Sequence, residues 1–395
     1  MTDPGPVPIP TNTPVALAFA HEGEWLFLGL QLVALAVPSA FLATGWGSRL
    51  RAGIDRLTGG RRWLTLILFA WVFLAVDTLA MAPLIYLRDV ARWERFATLG
   101  FGPPSPGSWL VGQASSFVVV ALLAAGLLWI PFGLIERRPR SWPLLLTVIA
   151  LPALTAALVL WQVALLPMTT RFQPIQDRAF AARIHAMAAR CGAGDLPVLV
   201  GGGDTTVVGL GPTSRILVGA VDMKIETPDQ MMTSLAHELK HYLMGDNWLA
   251  LGVVGALILA GALLVQLLGG LAIRLWGPRM GLASRHDPAA LPLIAMILAL
   301  SWGVAGLPIF NAVQKRAEHE ADRFALELTH DNRAFSEFQA REGGLPWRMN
   351  DEDWVTSTFL DNHPSQADRV RFGNSYRPWA EGRRGVYEGV CAPSA

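Results

Sequence analysis

Charged residues are scarce in this chain of 395 residues, since Asp, Glu, Lys and Arg make up 16% and hydrophobic residues 52%. The formal net charge of +1 gives no basic face for nucleic acid. Residues 1–24 contain five prolines but no Lys or Arg, so they lack the basic segment of a cleaved signal peptide. They are expected to form a flexible tail.

The run Gly201 to Gly203 is not followed by Gly-Lys-Ser/Thr, which excludes a phosphate-binding loop and favours a turn.

The hydrophobic residues are gathered into blocks long enough to cross a bilayer. Each block has roughly twenty or more residues, as a hydrocarbon core of about 30 Å requires. The blocks cover 25–47, 63–87, 109–135, 142–167, 248–275 and 290–313. Tryptophans near several block ends are typical of an interfacial belt. The sequence therefore predicts a polytopic α-helical membrane protein of about six spans, with a four-helix region over 25–167 and a hairpin over 248–313.

The two less hydrophobic segments, 168–247 and 314–395, flank this hairpin. Apolar residues at helical spacing over 175–188 predict a helix, and 196–200 and 215–218 resemble short strands. Neither segment is large enough for an independent enzyme. Together they predict one small α+β domain that is split around the hairpin.

A His-Glu-Leu-Lys-His motif lies at the end of the first of these segments. His237 and His241 are four residues apart, so on a helix both imidazoles can bind one Zn²⁺ while Glu238 faces a metal-bound water. An acidic cluster about eighty residues later offers Glu318 or Glu320 as a third ligand. The pattern favours a zinc hydrolase. The alternative is that the two histidines are only polar residues on a helix surface.

Zinc chemistry then predicts the mechanism. Three protein ligands leave a fourth position for water, whose pKa the metal lowers to about 7. Glu238 would accept the proton of this water and return it to the leaving amine. Glu238→Gln should abolish turnover while zinc still binds.

With these motifs the chain resembles the integral-membrane zinc metallopeptidases that include the type I CAAX prenyl protease and HtpX. The resemblance covers residues 170–247 and 314–372 and implies a gluzincin-type metallopeptidase domain with one Zn²⁺ per chain. It favours Glu318 over Glu320 as the third ligand, because only Glu318 has the family's spacing to Ala321-Asp322. Asp322 would then hold a ligand imidazole in one tautomer.

The resemblance extends to two further segments. His363-Pro364 and Asp368-Arg369 match a family pattern in which the His faces the substrate and stabilises the oxyanion, while Arg369 orders the segment through a carboxylate. The alternative for His363 is a surface turn. A substrate-pairing strand is implied where the family has Asn-Ala-x-x-x-Gly, although this chain replaces the Asn and the Ala. The corresponding residues are Asp204, Thr205, Thr206, Val207, Val208 and Gly209.

Several polar residues depart from the family pattern or from the apolar spans. Lys240, between the two ligands, is expected to extend to solvent or lipid headgroups. The prenyl proteases enclose a water-filled chamber, and the candidates to line one here are Asp77, Gln113, Gln162 and Gln266. For each Gln, an interhelical hydrogen bond is an equal alternative.

Arginine distribution predicts the orientation. The short loops on the side opposite the zinc motif hold most of the arginines, so the positive-inside rule places the catalytic face outside the cytoplasm. A disulfide between Cys191 and Cys391 would require such an oxidising compartment. The prenyl proteases instead face the cytosol and have seven spans.

We therefore predict a metalloendopeptidase in a bacterial plasma membrane that cleaves membrane-associated or lipidated peptides and binds no nucleic acid. The alternatives are a quality-control protease of the HtpX type, a catalytically silent membrane scaffold stabilised by zinc, and a transporter. The intact Glu238 argues against the scaffold. Against a transporter stands the lack of paired repeats.

Overall fold

The computed structural model describes residues 5–96, 104–203 and 205–392. Within them the first nine α-helices are α1 (Pro14–Ala43), α2 (Trp46–Leu57), α3 (Arg62–Tyr86), α4 (Arg92–Arg95), α5 (Pro106–Leu127), α6 (Trp129–Arg137), α7 (Trp142–Leu160), α8 (Leu166–Thr169) and α9 (Arg178–Arg190). The later helices are α10 (Asp222–Ile225), α11 (Pro228–Met244), α12 (Asp246–Leu264), α13 (Gly270–Met280), α14 (Leu291–Ser301), α15 (Leu307–Thr329), α16 (Asn332–Gly343) and α17 (Gln366–Ser375). The strands are β1 (Gln173–Pro174), β2 (Val198–Val200), β3 (Thr206–Val208) and β4 (Arg215–Val218).

Short π-helical segments join several helices into longer rods, for example Trp161–Leu165 between α7 and α8 and Trp302–Gly306 between α14 and α15. Among the described residues, six such rods are long and apolar enough to cross a membrane. They are Pro14–Ala43, Arg62–Arg95, Pro106–Arg137, Trp142–Met168, Asp246–Met280 and Pro288–Thr329. The prediction of about six spans is confirmed.

The first span begins earlier than the hydropathy pattern indicates. Helix α1 starts at Pro14, so the expectation of a flexible tail up to residue 24 is wrong for residues 14–24. Thr13 accepts a hydrogen bond from the amide of Ala16 at 3.1 Å, and Pro14 stands in the first turn, where its missing N–H costs nothing. Polar residues such as His21 and Glu22 lower the hydropathy of this first part of the helix and hide its start.

The described chain divides into two compact units. One consists of Ala18–Ala150 and Val254–Pro308. Its buried centre contains Phe41, Phe69 and Phe73, and the rings of Phe41 and Phe73 meet edge to face with centroids 5.2 Å apart. An ion pair of 3.0 Å links Arg51 to Asp287 within the same unit.

The other unit consists of Met1–Leu17, Leu151–Val253 and Ile309–Ala395. It contains a four-stranded sheet in the order β1-β2-β4-β3, in which β2 and β4 are parallel and the outer pairs antiparallel. The predicted strands at 196–200 and 215–218 are therefore present as β2 and β4. A core that includes Ile184, Ile216, Leu235 and Phe324 joins α9, the sheet, α11 and α15. This packing holds the sheet against both helices that carry the predicted metal ligands.

Two long-range connections close this unit. Cys191, just after α9, forms a disulfide with Cys391, 200 residues later. The N-terminal segment is held by side-chain to backbone hydrogen bonds: Asn374 accepts from the amide of Val7 at 3.0 Å, and Asn12 accepts from the amide of Asn350 at 2.6 Å. Segments from both ends of the sequence thus belong to the unit that carries the candidate site.

Candidate active site

Helix α11 carries the His-Glu-Leu-Lys-His motif and has strong local signals at both ends. At its start the Thr227 side chain accepts from the amide of Gln230 at 3.2 Å, the Gln230 side chain accepts from the amide of Thr227, and Pro228 follows the cap. At its end Gly245 has φ +67°, which glycine adopts readily. This break separates α11 from α12, so the zinc helix does not continue into the fifth span.

Helix α15 brings a carboxylate to the two imidazoles of α11. Glu318 Oε2 lies 3.0 Å from His237 Nε2, Glu318 Oε1 lies 3.6 Å from His241 Nε2, and the two Nε2 atoms are 3.2 Å apart. Atoms bound to one Zn²⁺ at about 2.0–2.2 Å in a tetrahedral arrangement are separated by about 3.3–3.6 Å. The donor set therefore fits zinc, and its three separations of 3.0, 3.2 and 3.6 Å lie within about 0.3 Å of this range.

The competing third ligand points elsewhere. Glu320 accepts from Arg323 Nη1 at 2.6 Å and from the Tyr387 hydroxyl at 2.9 Å. Among the described residues, the ligand atoms of His237, His241 and Glu318 meet within 4.8 Å. The geometry thus selects Glu318.

Asp322 lies one helical turn after Glu318 and is fully buried. Its Oδ1 is 2.9 Å from His237 Nδ1, and its Oδ2 accepts from Arg369 Nε at 2.8 Å. A hydrogen bond at Nδ1 leaves the Nε2 lone pair directed at the ligand cluster. The structure therefore brings Asp322 and Arg369 together behind His237.

Glu238 lines the cavity in which the ligands converge and accepts the amide hydrogen of Val207 at 3.0 Å. Burial raises the pKa of the Glu238 carboxyl, and the nearby Glu318 carboxylate acts in the same direction. The two imidazoles and the Val207 amide oppose this rise. A carboxyl group whose pKa is raised from its usual value is better able to hold a proton near neutral pH.

His363 reaches the same cavity from the loop before α17. Its Nε2 is 3.4 Å from Glu318 Oε2, and its Nδ1 is 2.7 Å from the Asn362 side-chain oxygen. The side chain is 48% exposed, so it remains accessible to a molecule in the cavity. Partial burial lowers the pKa of His363, which favours a neutral ring. The simple surface-turn alternative does not explain this approach to the ligand cluster.

Strand β3 forms one edge of the sheet and lines the cavity. Asp204, the first residue of the predicted substrate segment, lies outside the described residues. The amides of the alternate residues Thr205, Val207 and Gly209 donate to side chains. Their acceptors are Asp222 at 2.8 Å, Glu238 at 3.0 Å and Gln162 at 2.7 Å, respectively. These amides point away from β4. The edge strand can therefore donate hydrogen bonds to a peptide when the amides are released from their side-chain acceptors.

The cavity has a volume of about 730 Å³ and is rich in carboxylates. Burial raises the pKa of Glu226 to about 7 and that of Glu352 to about 7 as well. Gln162 lies in the same unit as the site and binds Gly209, whereas Asp77, Gln113 and Gln266 belong to the other unit. Among the described residues, none of these four lines this cavity.

Two features of the site are not predicted from the sequence. Gln162 and Asp222 accept hydrogen bonds from amides of the edge strand, and no motif marks them. Lys240 is 4% exposed rather than extended to solvent or lipid, so that expectation is wrong. Its ammonium donates to Asp246 Oδ2 at 2.7 Å. The turn after α11 is what brings Asp246 within reach of Lys240.

Comparison with known proteins is consistent with this geometry. The family model "Peptidase family M48" matches residues 175–374. An uncharacterized metalloprotease, YhfN of Bacillus subtilis (strain 168), is 24% identical over 318 residues, covering 78% of this chain and 73% of that protein. The crystal structure of S. mikatae Ste24p superposes with a TM-score of 0.71 at 16% identity, covering 91% of this chain and 88% of the other.

The similarity to Ste24p is a similarity of fold, and it confirms the expected membrane metallopeptidase architecture. The resemblance inferred from the motifs is also confirmed. Because the family model spans both ligand-bearing helices and the strands β2 to β4, the chain belongs to peptidase family M48 and is a membrane metalloprotease.

Proposed function

We propose that the chain is a zinc-dependent endopeptidase that cleaves membrane-associated or lipidated peptides. The observation that carries this proposal is the convergence of His237, His241 and Glu318 beside Glu238 and an edge strand in one cavity. Segments 168–247 and 314–395 would form its metallopeptidase domain, with 25–167 and 248–313 as the membrane part.

His237, His241 and Glu318 would hold one Zn²⁺ per chain. When bound, this ion supplies Lewis-acid polarisation of the peptide carbonyl and increases the acidity of a water molecule. Asp322 and Arg369 would hold the His237 ring in its present orientation, with Nε2 facing Glu318 and His241. Asp322 and Arg369 would thus position the imidazole, and neither needs to contact the substrate.

Glu238 would act as the general base and acid. Its carboxylate accepts a proton from the attacking water and returns it to the leaving amine, so it ends the cycle as it began. The attack forms the new C–O bond, and the C–N bond breaks as the amine is protonated. Val207 provides a hydrogen bond that holds Glu238 before substrate arrives.

Residues 204–209 would bind the substrate backbone by strand addition. In this arrangement Val207 exchanges its bond to Glu238 for one to the peptide, which frees Glu238 for water. His363, which lines the cavity, would donate a hydrogen bond to the developing oxyanion in the tautomer that carries its proton on Nε2.

The catalytic face would lie outside the cytoplasm of a bacterial plasma membrane. Two observations support this orientation: the arginine-rich short loops predicted on the opposite side, and the Cys191–Cys391 disulfide in the catalytic unit. An exported peptide that is still associated with the membrane would then be the natural class of substrate.

The decisive experiment measures peptide cleavage by protein purified in detergent, using acylated and unacylated fluorogenic peptides. We expect Glu238→Gln to reduce turnover by at least about 10²–10⁴-fold while zinc content stays at one per chain. Removal of zinc by a chelator should abolish cleavage, and added zinc should restore it.

Glu320→Gln is the matched control, since this Glu is near the site on α15 but binds Arg323 and Tyr387. It should cleave peptides as the wild type does. Zinc binding with cleavage that is absent, or identical in Glu238→Gln, would contradict the peptidase mechanism and support a zinc-stabilised scaffold. Equal cleavage rates on the acylated and the unacylated peptide would contradict a preference for lipidated substrates.

A further inference from the structure

The second imidazole ligand has a support of its own. His241 Nδ1 lies 2.5 Å from Asp246 Oδ2, the same carboxylate oxygen that accepts from Lys240 Nζ at 2.7 Å. The second proton of this ammonium goes to the backbone carbonyl of Ala317 at 3.0 Å. Ala317 directly precedes Glu318 on α15.

Lys240 is therefore bonded to the supports of two metal ligands at once. Through Asp246 it acts on His241, and through Ala317 it fixes the distance between α11 and α15 next to Glu318. A buried ammonium is costly unless hydrogen-bond acceptors surround it, and here the Lys240 side chain is only 4% exposed. Its two acceptors offset that cost at the position where the two ligand-bearing helices meet.

The arrangement repeats the one behind His237. There Arg369 binds Asp322, which binds Nδ1 of the imidazole. Here Lys240 binds Asp246, which binds Nδ1 of His241. Each imidazole thus has a carboxylate at Nδ1, and each carboxylate has a buried cation.

We propose that Lys240 and Asp246 are positioning residues for zinc, which orient the His241 ring with Nε2 toward the metal and hold α15 at the correct distance. The Lys240 ammonium stabilises the ionised Asp246 carboxylate, which in turn accepts the proton on His241 Nδ1. This proposal rests on the zinc role proposed above. It gives a function to the lysine that departs from the family pattern between the two histidines.

The test is zinc affinity, measured by competition with a chromogenic chelator, on the full-length protein in detergent. Loss of a partner behind a ligating imidazole typically weakens metal binding about 10–100-fold. We expect an effect in this range for Asp246→Asn and for Lys240→Met, both of which keep the approximate size of the side chain. Lys224→Met is the matched control, because Lys224 is exposed on α10, and its affinity should equal that of the wild type.

The double variant Lys240→Met/Asp246→Asn separates positioning from general destabilisation. Because Lys240 contacts both Asp246 and the Ala317 carbonyl on α15, the double variant should lose more affinity than Asp246→Asn alone but less than the product of the two single losses. Losses that multiply in full would mean that Lys240 does not act through Asp246 and would overturn the proposed path. Circular dichroism of the zinc-free proteins establishes that each variant is folded.

If Lys240→Met does not fold, Asp246→Asn decides the question by itself. A zinc affinity within about twofold of the wild type would overturn the proposal while leaving the peptidase assignment intact. A wild-type protein that binds no zinc would overturn both, so failures of the two proposals are distinguishable.

Discussion

At the scale of single residues, buried carboxylates around the cavity determine how stability responds to pH. The Glu226 side chain is 2% exposed and lies 4.0 Å from Arg341 Nη2. Burial, together with the Asp222 carboxylate, raises the pKa of Glu226 from 4.5 to about 7, although Arg341 opposes the change. The folded protein therefore binds this proton more tightly than the unfolded chain does.

This difference predicts the sign of a pH effect. The contribution of Glu226 to the free energy of unfolding should be greatest below about pH 4.5 and should be lost as the pH rises through 7, because the charged form is disfavoured in the fold. Glu226→Gln mimics the protonated group. At pH 8 it should raise the midpoint temperature of unfolding and increase the free energy of unfolding by up to about 3 kcal/mol. At pH 4.5 the variant and the wild type should unfold alike.

Thermal unfolding in detergent at several pH values provides the measurement. Glu337→Gln, at a more exposed position on α16, is the control and should show no such pH-dependent gain. An equal shift for Glu226→Gln at both pH values would mean that packing, and not ionisation, causes it.

At the scale of elements, the boundaries of α11 are determined locally. Thr227, Pro228 and Gln230 give it a capping box at the start, and Gly245 ends it in a left-handed conformation. These signals are visible in the sequence because they depend on neighbours within a few residues. The start and end of the helix are therefore set by contacts within a few residues of each end.

Removal of the cap should affect stability without changing the metal site. Thr227→Ala should cost about 1 kcal/mol and lower the unfolding midpoint, because the amide of Gln230 loses its acceptor. Thr227→Ser keeps the hydroxyl and should behave as the wild type. His237 lies ten residues further along the helix, so the zinc affinity of both variants should stay within about twofold of the wild type. A tenfold loss in Thr227→Ala would show instead that the first turn positions the ligands.

Other element boundaries depend on more than local signals. The sixth rod, Pro288–Thr329, is continuous through the turn that carries Glu318. The fifth rod is instead separated from α11 by Gly245. The hydropathy pattern does not distinguish these two cases, because a continuous helix and a helix interrupted by one left-handed residue can have the same composition.

At the scale of the whole molecule, the disulfide joins positions 200 residues apart. Its removal by Cys191→Ser/Cys391→Ser should lower stability by about 2–5 kcal/mol, since cross-links between distant residues restrict the unfolded chain. Unfolding of the double variant and of the wild type, each with and without reductant, provides the measurement. Reductant should destabilise the wild type but leave the double variant unchanged.

The same cysteines test the proposed orientation. Alkylation of intact cells before lysis should leave both thiols unmodified, because a catalytic unit outside the cytoplasm would contain the oxidised pair. Free thiols in freshly trapped protein would contradict the extracytoplasmic assignment. Such a result would leave the zinc mechanism unaffected.

The class of protein and the chemistry of its motif can be predicted from the amino-acid sequence. Hydrophobic blocks of bilayer length predict the spans, and the spacing of His237, Glu238 and His241 depends only on the helical repeat. The acidic cluster alone offers Glu318 or Glu320 as a ligand, whereas the preference for Glu318 and the roles predicted for Asp322, His363 and Arg369 rest on distances that the resemblance supplies. The expected strands at β2 and β4 follow from short apolar runs between turns.

The contacts between polar groups of distant segments become visible in the folded chain. Lys240 faces inward because Asp246, beyond a left-handed glycine, and the Ala317 carbonyl, on another helix, together surround its ammonium. Gln162 and Asp222 hold the edge strand from positions 47 and 17 residues away. Such pairings arise from packing between distant segments, where a buried charge must find acceptors, and periodicity along one chain carries no information about them.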